Sequence, residues 1–166
     1  SAVCVTGLIV VDTGSYFSSF GQGVVLTLIQ LGGLGYMTAT TLLLLLIGRR
    51  LCLKDRLAIQ QAMDTAELSN VNALVVSIIS MTFIFELTGA FCLMPTFTED
   101  FGTGQAIWLS IFHSISAFNN AGFSLFSDSL VQYAENAWPM AVISALIVIG
   151  GIGYQVIMEA FMWARD

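Results

Sequence analysis

The stretch HSISAFNNAGFSLFSD, residues 113–128, lies between two long apolar runs and fits neither a regular helix nor a soluble loop. It opens with helix-compatible Ile115, Ser116, Ala117 and Phe118, breaks at Asn119, Asn120, Ala121 and Gly122, and then turns polar. Backbone of that kind is tolerated at membrane depth only where protein buries it or where it lines a cavity. Whether this stretch sits at membrane depth therefore decides the fold.

Composition says that it does. Of 166 residues, 57% are hydrophobic and 10% charged, with a mean hydropathy of +0.86. A soluble domain carries roughly 25% charged residues. The net charge of −6 matters less than its arrangement. Arg49, Arg50, Lys54 and Arg56 cluster just after one apolar run, and Arg165 follows the last. Basic residues mark the cytoplasmic side. The remaining loops hold Asp12, Glu99, Asp100, Asp128 and Glu135 without Lys or Arg, an acidic outer face. Cys4, Cys52 and Cys92 are widely spaced and form no CxxC, which argues against a disulfide framework or a zinc site. The chain opens at Ser1 with nothing resembling a signal peptide, and reads as an excerpt of a longer protein.

Apolar runs predict spans at residues 21–47, interrupted by QLGGLG and closed by Gly48, Arg49 and Arg50; at 71–94, stopping at Pro95; and at 139–163, with Pro139 at a helix start. Each exceeds the roughly 20 residues needed to cross a bilayer core. Residues 106–118 are also apolar and helix-like, but at about 13 residues they are too short to cross. The charge pattern places the end of the second span and the start of the third outside. The short helix must then dip in and return. The connector at 51–70 predicts a short amphipathic helix through Leu53, Leu57, Ala58 and Ala62, with Ser69 or Asn70 capping the second span.

An internal repeat supports this layout. SAVCVTGLIVVDT from Ser1 aligns with SAFNNAGFSLFSD from Ser116, matching Gly7 to Gly122. Farther on, Gly32-Gly33-Leu34-Gly35-Tyr36 matches Gly150-Gly151-Ile152-Gly153-Tyr154. The fold class expected is an all-α membrane protein of repeated M1–pore helix–M2 units with re-entrant pore loops. Residues 1–50 are the end of one repeat, 51–70 a cytoplasmic connector and 71–166 a second repeat.

A short helix entering from outside aims the negative end of its dipole at the membrane centre, which favours cations. The returning loop presents carbonyl oxygens, and a ring of these replaces an ion's hydration shell. Acidic outer loops raise the cation concentration at the mouth.

VTGLIVVDT, IQLGGLGYMT, FHSISAFNNAGFSLFSD and IGGIGYQV resemble the Ktr/Trk/HKT superfamily of potassium transporters, and within it the KtrB/TrkH-type pore subunit. The resemblance implies four M1–pore helix–M2 repeats around one pore, with a filter glycine from each. Here these would be Gly7 and Gly122, with adjoining carbonyls from Val3, Cys4, Val5 and Thr6 and from Phe118, Asn119, Asn120 and Ala121. It further implies a homodimer of pore subunits in the plasma membrane on a cytoplasmic ring that binds nucleotide. K⁺ is then the transported ion, and neither a cofactor on this chain nor a nucleic-acid partner is expected.

Other readings compete residue by residue. GGLGY and GGIGY are first of all helix-packing motifs; the nucleotide-binding GxGxxG fails because Gly151 and Gly153 are followed by Val156. Glu86, costly in lipid, either marks an ion path or braces the short helix from beneath, and Glu159 reads as interfacial. His113 reads as packing or a supporting hydrogen bond, and Asn119 and Asn120 as braces with their carbonyls facing the axis. An intramembrane enzyme built on Glu86, His113 or Cys4 lacks a paired acid–base set. A Na⁺ or ammonium transporter of similar architecture is the alternative.

Overall fold

A computed structural model describes residues 1–51, 67–153, 156, 157 and 163. Among these every regular element is helical: α1 (Thr13–Tyr16), α2 (Ser19–Leu51), α3 (Glu67–Phe101), α4 (Thr103–Phe118), a 3₁₀ turn (Val131–Tyr133) and α5 (Ala137–Ile152). Within α3, Val75–Phe101 is apolar and 27 residues long, about 40 Å at 1.5 Å per residue. It is long enough to cross a membrane.

Three expected boundaries move. The first span is not interrupted at QLGGLG, nor closed at Gly48: α2 runs unbroken over 33 residues. Glycine lowers helix propensity, but here Val3 O packs against Gly32 and the Asn119 side chain against Gly33. The second span does not stop at Pro95; α3 continues through it to Phe101. Proline removes one helical hydrogen bond and disturbs the carbonyls a turn before it. One of these, Cys92 O, accepts the Trp138 Nε1–H at 3.0 Å. Neighbouring side chains of this kind are what let proline persist in membrane helices. Ser69 and Asn70 lie inside α3, so neither is its N-cap.

The third span is divided. α5 ends at Ile152, and Gly153 takes φ 85°, before Val156 and Ile157 are helical again. That left-handed angle is open to glycine and breaks the helical ladder there. Asn136 caps the start, accepting from Trp138 N at 3.2 Å, so Pro139 sits in the first turn where its missing N–H costs little. The predicted amphipathic helix of the connector, with Lys54 and Arg56, lies outside the described residues.

The short helix expected at 106–118 is α4, 16 residues from Thr103, about 24 Å and short of the roughly 30 Å core. Gly102, at φ 74°, reverses the chain so that α4 packs back along α3. Phe85 stacks on Phe118 at 5.7 Å, and Phe97 meets His113 at 5.6 Å. Leu93, Phe97, Leu109, Phe118, Ile143 and Leu146 form the core between α3, α4 and α5. Gly89 is the crossing point: a Cβ there would lie 2.5 Å from Ser114 Oγ and 2.6 Å from a Leu146 methyl. A second cluster, Ile29, Phe112, Ala121 and Phe123, packs α2 against α4 and its loop.

Candidate functional site

Two loops share one backbone geometry. At the C-terminus of α4, Asn120 N–H donates to Ala117 O (3.0 Å) and Ala121 N–H to Ser116 O (2.8 Å). In the first loop Val5 N–H donates to Ala2 O (3.2 Å) and Thr6 N–H to Ser1 O (3.3 Å). Both are the paired 5→2 and 6→1 bonds of a Schellman cap, at positions that the sequence alignment from Ser1 and Ser116 superposes. Left-handed angles recur in step: Val5 at φ 52° and Gly7 at 68°, Asn120 at 57° and Gly122 at 71°. Thr6 and Ala121, between them, do not share that sign.

Asparagine tolerates the left-handed region; a β-branched residue there is an outlier. Val5 is therefore the strained member of the pair. Val5→Asn is expected to raise stability by about 1 kcal/mol, read as a higher unfolding temperature of the purified full-length protein. A lower temperature would mean that Val5's apolar contacts outweigh its backbone strain.

The loops touch. A Cβ on Gly7 would come 2.7 Å from Ala121 O and 3.3 Å from Gly122 Cα, while one on Gly122 would meet Gly7 Cα at 3.5 Å. Behind each loop stands the first glycine of the repeated Gly-Gly motif. A Cβ on Gly32 would lie 2.1 Å from Val3 O, and one on Gly150 1.8 Å from Phe118 O. Two carbonyls expected at the ion thus rest against α2 and α5. These glycines are packing residues, as read: Gly32 admits loop backbone and Gly150 the last residue of α4.

Asn119 and Asn120 part company. Asn119 is buried, and its Nδ2 donates to Glu86 Oε1 (2.9 Å) and Ile115 O (2.9 Å). Glu86, also buried, accepts Gln30 Nε2 on its other oxygen at 3.0 Å. Ser114 Oγ–H donates to Glu86 O at 2.6 Å. Of the two readings of Glu86, these contacts are those of the brace, made through the amides of Gln30 and Asn119. A Cβ on Gly33 would collide with Asn119 Oδ1, so Gly33 makes the seat for this amide on α2. Asn120 is exposed; turned so that its nitrogen faces Ile147 O and its oxygen Gly151 N, its amide meets both at 3.2 Å.

The outgoing chain is pinned to α4. His113 Nδ1 lies 2.8 Å from Leu109 O, and Nε2 lies 3.1 Å from Ser124 Oγ and 3.4 Å from Leu125 N. A proton on Nδ1 suits all three, leaving Nε2 to accept. The ring stacks on Phe126 at 4.7 Å. Ser116 Oγ–H donates to Phe123 O at 2.6 Å. His113 therefore packs and supports, as its sequence context suggested. Cys4 is exposed on the other loop, and among the described residues no three His, Cys, Asp or Glu could hold a metal together.

Above the loops the acids are partly engaged. Tyr133 O–H donates to Asp100 Oδ2 at 2.8 Å; burial, and then Asp100, push the phenol above its usual range. Asp12 caps α1, and its hydrogen bond from Ser15 holds the carboxyl below the usual carboxylate range. Glu99, Asp128 and Glu135 are exposed.

Gln30, Ser114, Ser116 and Gly89 escaped the sequence reading. Gln30 had a signal, a lone amide in the middle of an apolar run. Trp108 and Gln22 add a further tie: the indole Nε1–H donates to Gln22 Oε1 at 2.8 Å, joining α4 to α2.

Described residues whose regular elements are all helical, one helix long and apolar enough to cross a membrane, and two matching glycine loops in contact are consistent with a membrane protein. The chain belongs to the TrkH family, described as "Cation transport protein", whose family model matches residues 1–166; its members are transporters, not enzymes. It is 41% identical over 159 residues to the Ktr system potassium uptake protein B of Bacillus subtilis, covering 96% of this chain and 36% of that protein. It is 37% identical over 165 residues to the potassium/sodium uptake protein NtpJ of Enterococcus hirae (99% and 37%). The Ktr system potassium uptake protein B of Vibrio alginolyticus is 38% identical over 161 residues (97% and 35%). The chain spans little more than a third of the length of these relatives.

Proposed function

We propose that the full protein passes K⁺ across the plasma membrane down its electrochemical gradient, through a carbonyl-lined filter to which this chain contributes two of four loops. α4 is then a re-entrant pore helix, α3 and α5 the outer and inner helices of its repeat, and α2 the inner helix of the preceding one. The observation that carries the reading is the shared alternation of left-handed residues at Val5 and Gly7 and at Asn120 and Gly122, in loops that meet at their glycines. In an extended strand successive carbonyls face opposite ways; alternating backbone hand lets them face one side, as an ion's ligands must. Val3 and Phe118 anchor the loops against Gly32 and Gly150. The carbonyls of Cys4, Val5, Thr6 and Gly7 and of Asn119, Asn120, Ala121 and Gly122 then meet the ion. The chemistry is dehydration and rehydration of a cation, with no covalent step.

Assembly as a homodimer on a cytoplasmic nucleotide-binding ring belongs to the same reading. Its support is the family resemblance and the relatives named as parts of a Ktr system. Arg49 and the chain's C-terminal end face the cytoplasm in this topology, and the filter loops face outside.

A second reading, in which Na⁺ shares the pathway, is favoured by the 37% identity to a protein named for both potassium and sodium uptake. An ammonium conduit is less well served, because His113 is spent on packing. Rb⁺ and Na⁺ tracer fluxes into vesicles holding the full-length protein, with and without Gly122→Ser, test the proposal. Rb⁺-selective flux is expected, with the preference lost in the variant. Equal fluxes that ignore the substitution would overturn it.

A further inference from the structure

Among the described residues, a cluster of two amides and a carboxylate stands behind the second loop. The alignment that pairs Gly7 with Gly122 sets Cys4 opposite Asn119, and Cys4 is exposed. Among the described residues, only the second loop is tied by its side chain to helices outside its own pore helix. The tie joins both halves of the chain: Gln30 comes from α2, Glu86 from α3 and Asn119 from the loop itself.

The hydrogen-bond accounting requires a carboxylate at position 86. Both groups facing it are donors, Asn119 Nδ2 at 2.9 Å and Gln30 Nε2 at 3.0 Å, one to each oxygen. An amide at that position offers a single acceptor and turns its own N–H groups on one of the two donors. The orientation of Asn119 is fixed by the same logic, since reversing the amide would set its oxygen against the carboxylate. Asn119 is also the C-cap of α4 and immediately precedes the left-handed Asn120. The amide that Glu86 holds is thus where the loop leaves the helix. Ser114 Oγ, bonded to Glu86 O at 2.6 Å, keeps Glu86 itself in register with α4.

We infer that Glu86 is a positioning residue for ion selection: through Asn119, and with Gln30, it fixes the take-off of the second filter loop and so the spacing of that loop's carbonyls. This rests on the filter reading above. A carboxylate buried in a membrane span is retained at a cost, and here each of its two oxygens accepts from an amide, Asn119 Nδ2 on one and Gln30 Nε2 on the other.

The test is the ratio of Rb⁺ to Na⁺ tracer flux through the full-length protein, compared with Glu86→Gln, Gln30→Met and the double variant at equal amounts inserted. Glu86→Gln is expected to lower the ratio roughly tenfold, the size of one charge-assisted hydrogen bond lost. Gln30→Met, which leaves the Glu86–Asn119 bond, is expected to lower it less, and the double variant no more than Glu86→Gln alone. A residue that merely packs would change the amount of inserted protein and leave the ratio of those molecules untouched. That result in both single variants overturns the inference. If Glu86→Gln does not accumulate, Gln30→Met decides alone, and an unchanged ratio again overturns it. Failure of the filter reading itself is distinguishable, because it shows in the unsubstituted protein as flux without preference; the inference then falls with it.

Discussion

Gly150→Ala is expected to destabilise the full-length protein by about 3 kcal/mol or more, at the upper end of what overpacking a filled site costs. The added methyl would lie 1.8 Å from Phe118 O and 2.8 Å from Phe118 C, and both atoms are backbone. No flexible side chain can swing aside, so either α5 or the end of α4 must move. Gly32→Ala meets the same obstacle in the first loop, at 2.1 Å from Val3 O. Two other glycines of α2 supply the control. Among the described residues a Cβ on Gly23 or Gly35 meets nothing within 4 Å, and alanine is up to about 1 kcal/mol better than glycine inside a helix. Gly23→Ala and Gly35→Ala are therefore expected to be neutral or stabilising, so that one substitution changes sign along a single helix. Thermal unfolding of the purified variants in detergent reads the order directly. If all four behave alike, helix propensity governs these positions and the glycines do not seat the loops. Because Gly32 and Gly150 carry the loops behind the proposed filter, their alanine variants should also lose transport in whatever protein remains folded.

Much of this architecture can be read in the chain because it is written as period and punctuation. The apolar runs located α2, α3 and α5, and a run too short to cross located α4. The repeat was legible at its glycines, since a left-handed angle or a close approach of backbone admits little else. Helix ends were read less well, for a common physical reason: Gly and Pro break helices in water, but a neighbour can satisfy or fill what they leave. Pro95 stays inside α3, where Trp138 takes up Cys92 O, and Gly32 and Gly33 stay inside α2, where Val3 O and the Asn119 amide fill their space. Gly153, with no Cβ contact within 4 Å, does break its helix. The site was legible as loops and not as a scaffold. Nothing in the sequence states that Gln30 and Glu86, far apart in the chain, converge on Asn119; only the crossing of three helices brings them together. The two polar residues were visible as anomalies in apolar runs, which flags a site without naming its partners.

Gly7→Ser is expected to abolish selective Rb⁺ flux, and to do so more completely than Gly122→Ser, although the two glycines occupy matching places. Both have positive φ, 68° and 71°, so each serine carries the backbone penalty of about 1–2 kcal/mol for an L-residue in the left-handed region. They differ in what lies beside them. At Gly122 the new Cβ meets Gly7 Cα at 3.5 Å, an ordinary contact, so the loop keeps its path and only the strain is added. At Gly7 the Cβ would fall 2.7 Å from Ala121 O and 3.3 Å from Gly122 Cα, so the first loop must push the second aside. Steric displacement then adds about 1–3 kcal/mol to the strain, and it falls on a carbonyl assigned to the ion. One substitution thereby disturbs both loops. The prediction is an order: Gly122→Ser conducts with lowered preference for Rb⁺ over Na⁺, while Gly7→Ser at equal insertion conducts at least roughly tenfold less, since 1.4 kcal/mol is a factor of ten in an equilibrium. Tracer flux on the two variants side by side measures it. Equal losses would mean that backbone angle alone matters at these glycines, and the reverse order would mean that the loops do not meet in the conducting protein as they do here.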